Sequence, residues 1–207
     1  MYNVIGCANN RTFRVIWMLE ELGQPYQRTD AHPHDPMLRG HTPLGKLPVL
    51  VDQGESLTDS VAIMTYLCDR HGALTAPAGT IARARQDGIT QQIVDELESV
   101  LWTSTRHTFI LPEDQRVAAI KPSLRWEFLR NTAKLAERMQ GPYLMGDAIT
   151  LPDLLAVHCL NWAVAAKFPV EDPALLDYAT RLRQRDAYKA TLASEKAMMA
   201  AAAQPAD

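Results

Sequence analysis

The chain has 207 residues, of which 47% are apolar and 22% charged, with a formal net charge of −3. This is ordinary globular usage, sufficient for one large domain or two small ones, and it excludes a disordered chain. A slightly acidic balance also excludes the clustered basic surface that nucleic acid requires.

Tyr2 to Ile5 is short and β-prone, and Gly6 ends it. No basic region precedes an apolar stretch here, and Arg11 and Arg14 fall where a signal peptide would be hydrophobic. From Asn10 the pattern turns helical. Phe13, Ile16, Trp17 and Met18 recur with Val15, Leu19 and Leu22 at spacings of three and four, and Gly23 supplies a stop. Pro25 to Thr29 predicts a second strand, roughly parallel to the first, in a right-handed strand–helix–strand unit. His32 to Pro43 carries prolines at 33, 36 and 43 and has room for one short helical turn. Leu47 to Val51 predicts a strand that Gln53-Gly54 turns back through Ser56 and Leu57 as an antiparallel hairpin. Thr58-Asp59-Ser60 then opens a helix through about Arg70, with Thr58 as the expected cap and Arg70 and His71 at its negative end. The first third therefore reads β-α-β-α-β-β-α, an α/β domain over residues 1–72.

Residues 73–79 follow Gly72, carry Pro77 and Gly79, and read as a linker. Beyond them strand signals disappear. Apolar residues recur with helical period through roughly 80–109, 114–140, 150–166 and 173–200, so 80–207 reads as an all-α bundle. The tail from Ala200 is small and polar and is expected to fray. Thr150 to Asp153 has the form of a capping box, with Ile149 and Leu154 as the hydrophobic staple. Pro152 lies in the first turn, where its missing N–H costs little. Arginines at 83 and 85, and at 181, 183 and 185, stand among acids and read as solvated helix faces. Cys7, Cys68 and Cys159 form no CxxC or Cys/His pattern, so no metal site is expected and a reducing compartment is. No run reaches the roughly 18–20 apolar residues of a membrane span. The expected setting is cytoplasmic, with neither membrane nor nucleic acid as a partner.

Three local patterns, in order and well separated, resemble the cytosolic glutathione S-transferase family, in its bacterial theta- or beta-like form. They are Gly6-Cys7-Ala8-Asn9-Asn10-Arg11 running into Trp17-Met18-Leu19-Glu20-Glu21-Leu22-Gly23; Thr42-Pro43-Leu44-Gly45-Lys46-Leu47-Pro48-Val49-Leu50; and Leu57-Thr58-Asp59-Ser60-Val61-Ala62-Ile63. Gly146 to Asp153 is similar to the family's cap before its central helix. The resemblance spans nearly the whole chain. It implies a thioredoxin-like first domain that holds glutathione and a helical second domain that accepts the other substrate, with Arg106, His107 and Phe109 bordering its pocket.

The same resemblance implies site residues. Leu47-Pro48 stands where the family has a cis peptide bond, which would present the backbone N–H and C=O of Leu47 to a tripeptide as an added strand. Asp59 and Ser60, at a helix start, would receive the γ-glutamyl end of glutathione, Ser60 donating to the carboxylate and Asp59 accepting from the ammonium. Helix capping alone also accounts for this pair. Lys46 would meet the glycyl carboxylate as a point charge, with His34 and His41 nearby.

The reaction needs the thiolate of glutathione, and a donor that stabilises it. The family places a Tyr, Ser or Cys just after the first strand. Here the junction is Cys7-Ala8-Asn9-Asn10, and the theta-like Ser falls on Cys7 while the beta-like Cys falls nearer Asn9. Three readings stay open. Cys7 is a mixed-disulfide nucleophile made acidic by the adjoining helix start; the amide of Asn9 or Asn10, or a backbone N–H, donates to the bound thiolate, with Thr12 as a distant reserve; or Cys7 is merely a small buried residue beside two capping asparagines. The implied functions are conjugation of glutathione to a hydrophobic electrophile as an alkyl or aryl transferase in detoxification, glutathione-dependent thiol transfer on a disulfide through Cys7, or a non-catalytic binding module. A homodimer is implied in each case.

Overall fold

A computed structural model describes residues 1–202. Its strands are β1 (Tyr2–Ile5), β2 (Tyr26–Thr29), β3 (Val49–Asp52) and β4 (Glu55–Thr58). Its α-helices are α1 (Thr12–Glu21), α2 (Ser60–His71), α3 (Ile81–Gln92), α4 (Ser99–Thr105), α5 (Lys121–Glu137), α6 (Leu151–Ala165), α7 (Pro173–Arg183) and α8 (Asp186–Ala202). The chain packs as two compact units. One is Met1–Ala73 together with the chain from Arg183 onward, and the other is Leu74–Leu182. The tail expected to fray from Ala200 is helical through Ala202, and 203–207 lie outside the described residues.

In the first unit the sheet runs β2-β1-β3-β4, with β1 parallel to β2 and the other neighbours antiparallel. The element order is the expected thioredoxin-like one. The second helix of the pattern is reduced to a 3₁₀ turn, Pro36–Gly40, capped by the Asp35 side chain. The Gln53-Gly54 turn takes positive φ at both residues, 52° and 86°, as a tight hairpin with the native twist requires. Gly23, at φ 62°, stops α1. The cap of α2 is Asp59, whose carboxylate accepts from the N–H groups of Val61 and Ala62; Thr58, the expected cap, is the last residue of β4.

α8 belongs to this unit because its side chains complete the cover on α1. Tyr188 packs edge-on against Phe13 and Trp17, with ring centroids at 5.4 and 4.9 Å. Arg185 holds the Glu21 carboxylate with two nitrogens, each at 2.7 Å. This explains why the helix predicted over 173–200 is two helices: the break at 184–185 brings Arg185 to Glu21 and lets α8 start on Asp186, an acid in its first turn.

The second unit is all-helical. Residues 81–110 are helical throughout, interrupted by π-type segments at Ile93–Glu98 and Arg106–Ile110. The helix expected over 114–140 starts only at Lys121. Pro122 tolerates the first turn but not a helix interior, and two short 3₁₀ turns fill 113–120. α6 is buried along Leu151 to Val157, and its start is tied down by one carboxylate. Asp153 Oδ2 accepts from the N–H and hydroxyl of Thr150, and Oδ1 from the Leu144 N–H and the Tyr178 hydroxyl at 2.8 Å. Burial pushes the Asp153 carboxyl above its ordinary value, against the pull of these bonds.

Removing that carboxylate takes the acceptor from four hydrogen bonds. Asp153→Ala is expected to lower stability by about 2–4 kcal/mol in urea unfolding. Because the folded-state pKa is raised, the carboxyl's titration favours the fold fully below the ordinary 3.8, and that contribution is lost as pH rises through the folded value. The stability gap between wild type and Asp153→Asn should therefore narrow from acid toward neutral pH.

Candidate functional site

Four segments converge on one edge of the first unit's sheet. Thr29 of β2, Ile5 of β1, Val49 of β3 and Thr58 of β4 form a single row of register partners. The Cys7–Asn10 turn follows Ile5, Leu47-Pro48 precedes Val49, and Asp59-Ser60 follows Thr58. Topology alone thus brings together residues that lie up to about fifty positions apart in sequence. The site is at the carboxyl ends of the parallel pair, where α/β sheets leave room for ligands.

At β3, the Leu47–Pro48 peptide is cis. Pro48 is buried, while Leu47 is half-buried against the small apolar cluster of Ile5, Ala31, Leu38 and Val49. The strand ladder starts at Val49, so among the described residues the N–H and C=O of Leu47 have no backbone partner. Lys46 is exposed and makes no ion pair among the described residues. Gly45 takes φ 60° beside His34, where a Cβ would stand 2.6 Å from Nδ1 and only glycine fits. His34 donates its backbone N–H to the Gly45 carbonyl, and His41 pairs through Nδ1 with the Ser56 hydroxyl at 2.7 Å. Both histidines thus brace the loop that carries Lys46.

At α2, Asp59 sits at φ 66°, ψ 122°, a conformation that side chains rarely adopt. Ser60 is buried, and its oxygen accepts from Arg14 Nη1 at 3.3 Å. Arg14, in the first turn of α1, is wholly buried. Since guanidinium only donates, Ser60 keeps its own proton for another acceptor.

At the junction, Asn10 Nδ2 donates to Cys7 Sγ at 2.9 Å, and Asn10 Oδ1 accepts from the Thr12 N–H at the start of α1. Asn9 points elsewhere. Its side-chain amide approaches Met199 Sδ at 3.5 Å, and its backbone N–H donates to Glu195. Cys7 is half-buried. Desolvation by burial pushes its thiol up, Asp30 and Glu195 add to the rise, and its own N–H and Asn10 only partly offset it. Gly6 is required here, because a Cβ would stand 2.1 Å from the Thr12 hydroxyl.

Sequence reasoning missed Glu195 and Arg28, which close the junction from α8 and β2 at 2.7 Å from one another. The local signal was faint: Glu195 is one acid in an alanine-rich helix, with its partner 167 positions away. Among the described residues no group of three or more His, Cys, Asp or Glu is placed to hold a metal ion, and no helix is long and apolar enough to cross a membrane. In the second unit, His107 Nδ1 accepts from the Val117 N–H, and Phe109 is exposed.

Residues 2–77 match the glutathione S-transferase N-terminal domain. Glutathione S-transferase 3 of Schizosaccharomyces pombe is 37% identical over 75 residues, 34% of this chain and only 31% of its own length. Glutathione S-transferase GstA of Escherichia coli O157:H7 is 27% identical over 158 residues, 74% of this chain and 75% of its own. Among solved structures, a glutathione transferase from Methylococcus capsulatus superposes with a TM-score of 0.83 at 23% identity, covering 95% of this chain and 99% of that one. Glutathione transferase URE2P6 of Phanerochaete chrysosporium, solved with oxidized glutathione, gives 0.82 at 19%, covering 95% and 97%. A sphingomonad glutathione S-transferase complexed with glutathione gives 0.81 at 22%, covering 94% and 98%. At these identities the structures establish the fold, and the matched domain identifies its first third. Residues 2–77 of the chain are thus a glutathione S-transferase N-terminal domain.

Proposed function

We propose that the chain binds glutathione along the sheet edge at Leu47 and activates its thiolate for attack on a hydrophobic electrophile. The observation that carries this reading is the convergence, on one edge, of an unpaired backbone at Leu47, the buried Ser60 hydroxyl at a helix start, and the Cys7–Asn10 turn. The tripeptide backbone pairs with Leu47 as an added strand, next to Pro48. Its γ-glutamyl carboxylate takes the Ser60 proton and the N-terminal dipole of α2. Its ammonium donates to Asp59, and Lys46 meets the glycyl carboxylate from solvent.

For the sulfur, the geometry favours the Asn10 amide as donor, because Nδ2 already reaches a sulfur at 2.9 Å while the Asn9 amide faces Met199. In the step itself the glutathione S–H proton passes to solvent, the thiolate forms a bond to an electrophilic carbon, and the leaving group departs with the electron pair of the broken bond. A raised Cys7 thiol is a poor nucleophile at neutral pH, which favours conjugation over disulfide exchange through Cys7. The reading includes the family's two-fold dimer and a cytoplasmic setting; light scattering that returns a monomer mass would remove the dimer from it.

Ser60→Ala is expected to weaken glutathione binding about tenfold in calorimetry while leaving the fold intact. Asn10→Ala should lower kcat about tenfold to a hundredfold and raise the Cys7 pKa further, read from the pH dependence of alkylation. Cys7→Ala should retain conjugation. Loss of disulfide exchange together with all activity in that variant would move the assignment to a thiol transferase. No glutathione binding at millimolar concentration would leave only a binding module for other ligands.

A further inference from the structure

The turn after β1 is held from outside the sheet. Asn9 adopts φ 61°, and its backbone N–H donates to Glu195 Oε2 at 2.8 Å. The other oxygen, Oε1, accepts from Arg28 Nη2 at 2.7 Å, and Arg28 Nη1 donates to the Ser194 hydroxyl at 3.0 Å. The pair is nearly dry, with side-chain exposures of 10% for Arg28 and 6% for Glu195. One carboxylate therefore joins the β1–α1 turn, β2 and α8. Asn10, the next residue, carries the amide that reaches Cys7, so the direction in which the chain leaves Asn9 sets where that amide lies.

We propose that Glu195 is a positioning residue: its clamp on the Asn9 amide holds Cys7 and Asn10 facing the sheet edge. It touches no reacting atom. Its functional consequence rests on the glutathione reading above, while the clamp itself does not. The position needs a carboxylate because both oxygens accept, one from a backbone N–H and one from a guanidinium. Glutamine there would turn an NH₂ group toward one of two donors. Alanine would strand a buried guanidinium and open the turn.

The test uses the full chain with Glu195→Ala, Glu195→Gln, Arg28→Met/Glu195→Gln, and Arg185→Ala as a control on the other anchor of α8. Cys68 and Cys159 are wholly buried, so iodoacetamide reports on Cys7. Alkylation is followed to its high-pH limit, where every variant is fully ionised and only access matters. In Glu195→Ala and Glu195→Gln that limit should rise about fivefold, with amide exchange at Asn9 losing its protection. The double variant should return both toward wild type, since glutamine is then able to give its oxygen to Asn9 with no guanidinium competing for it. Arg185→Ala should change neither. With glutathione and an electrophile, kcat should fall about tenfold in Glu195→Ala while KM for glutathione stays within about twofold. Unchanged alkylation and exchange in Glu195→Ala would overturn the clamp. A loosened turn with unchanged kcat would overturn the positioning role. If the wild type neither binds nor turns over glutathione, the reading of the site has failed, and alkylation and exchange alone decide the clamp.

Discussion

Every residue of α1 from Thr12 to Leu19 is buried, and the remainder of the first unit is arranged around that requirement. A helix with one apolar stripe needs one partner; a helix buried all round needs several. The sheet and α2 supply part of the cover. α8 supplies the rest, with Tyr188 set between Phe13 and Trp17 and Arg185 closing over Glu21. Each aliphatic side chain buried in α1 is worth roughly 1.5–3 kcal/mol, so detaching α8 would expose a sizeable share of the unit's core.

Because α1 is immobilised this way, its N-terminus is a fixed point, and the Cys7–Asn10 turn is strung between that point and the end of β1. The turn needs Gly6, since Thr12 folds back against its Cα, and it needs Asn10 both to cap Thr12 and to reach Cys7. On the neighbouring strands the edge is finished differently. β3 begins only after Pro48, and β4 hands directly into α2 through Asp59 at positive φ. The result is a rim of backbone polar groups and helix starts, well suited to a small peptide with charged ends.

The electrostatics of the rim run against a reactive protein thiol. Burial, Asp30 and Glu195 all hold Cys7 in its protonated form. The same Glu195 that disfavours a Cys7 thiolate also fixes the turn, so the two effects have a common source. In the proposed reading the reactive sulfur arrives with the ligand and the protein provides the donors, so the protein's own sulfur need not ionise.

Much of this was determined by the sequence. Local periodicity and turn chemistry were enough for the four strands, α1, α2 and the capping of α6, because each depends on near neighbours: Gln53-Gly54 makes its turn, and Thr150 and Asp153 meet within one helical turn. The order of the three motifs was enough to suggest the family. What only the tertiary structure decided depends on partners remote in the chain. Pro122 moved the start of α5, and the pull of Glu21 on Arg185 split the last predicted helix in two. The approach of Glu195 to Asn9 and Arg28 closed the junction, and the burial of Cys7 pushed its thiol up. Desolvation and long-range ion pairs are sums over everything packed around a group, and no window of adjacent residues contains that sum.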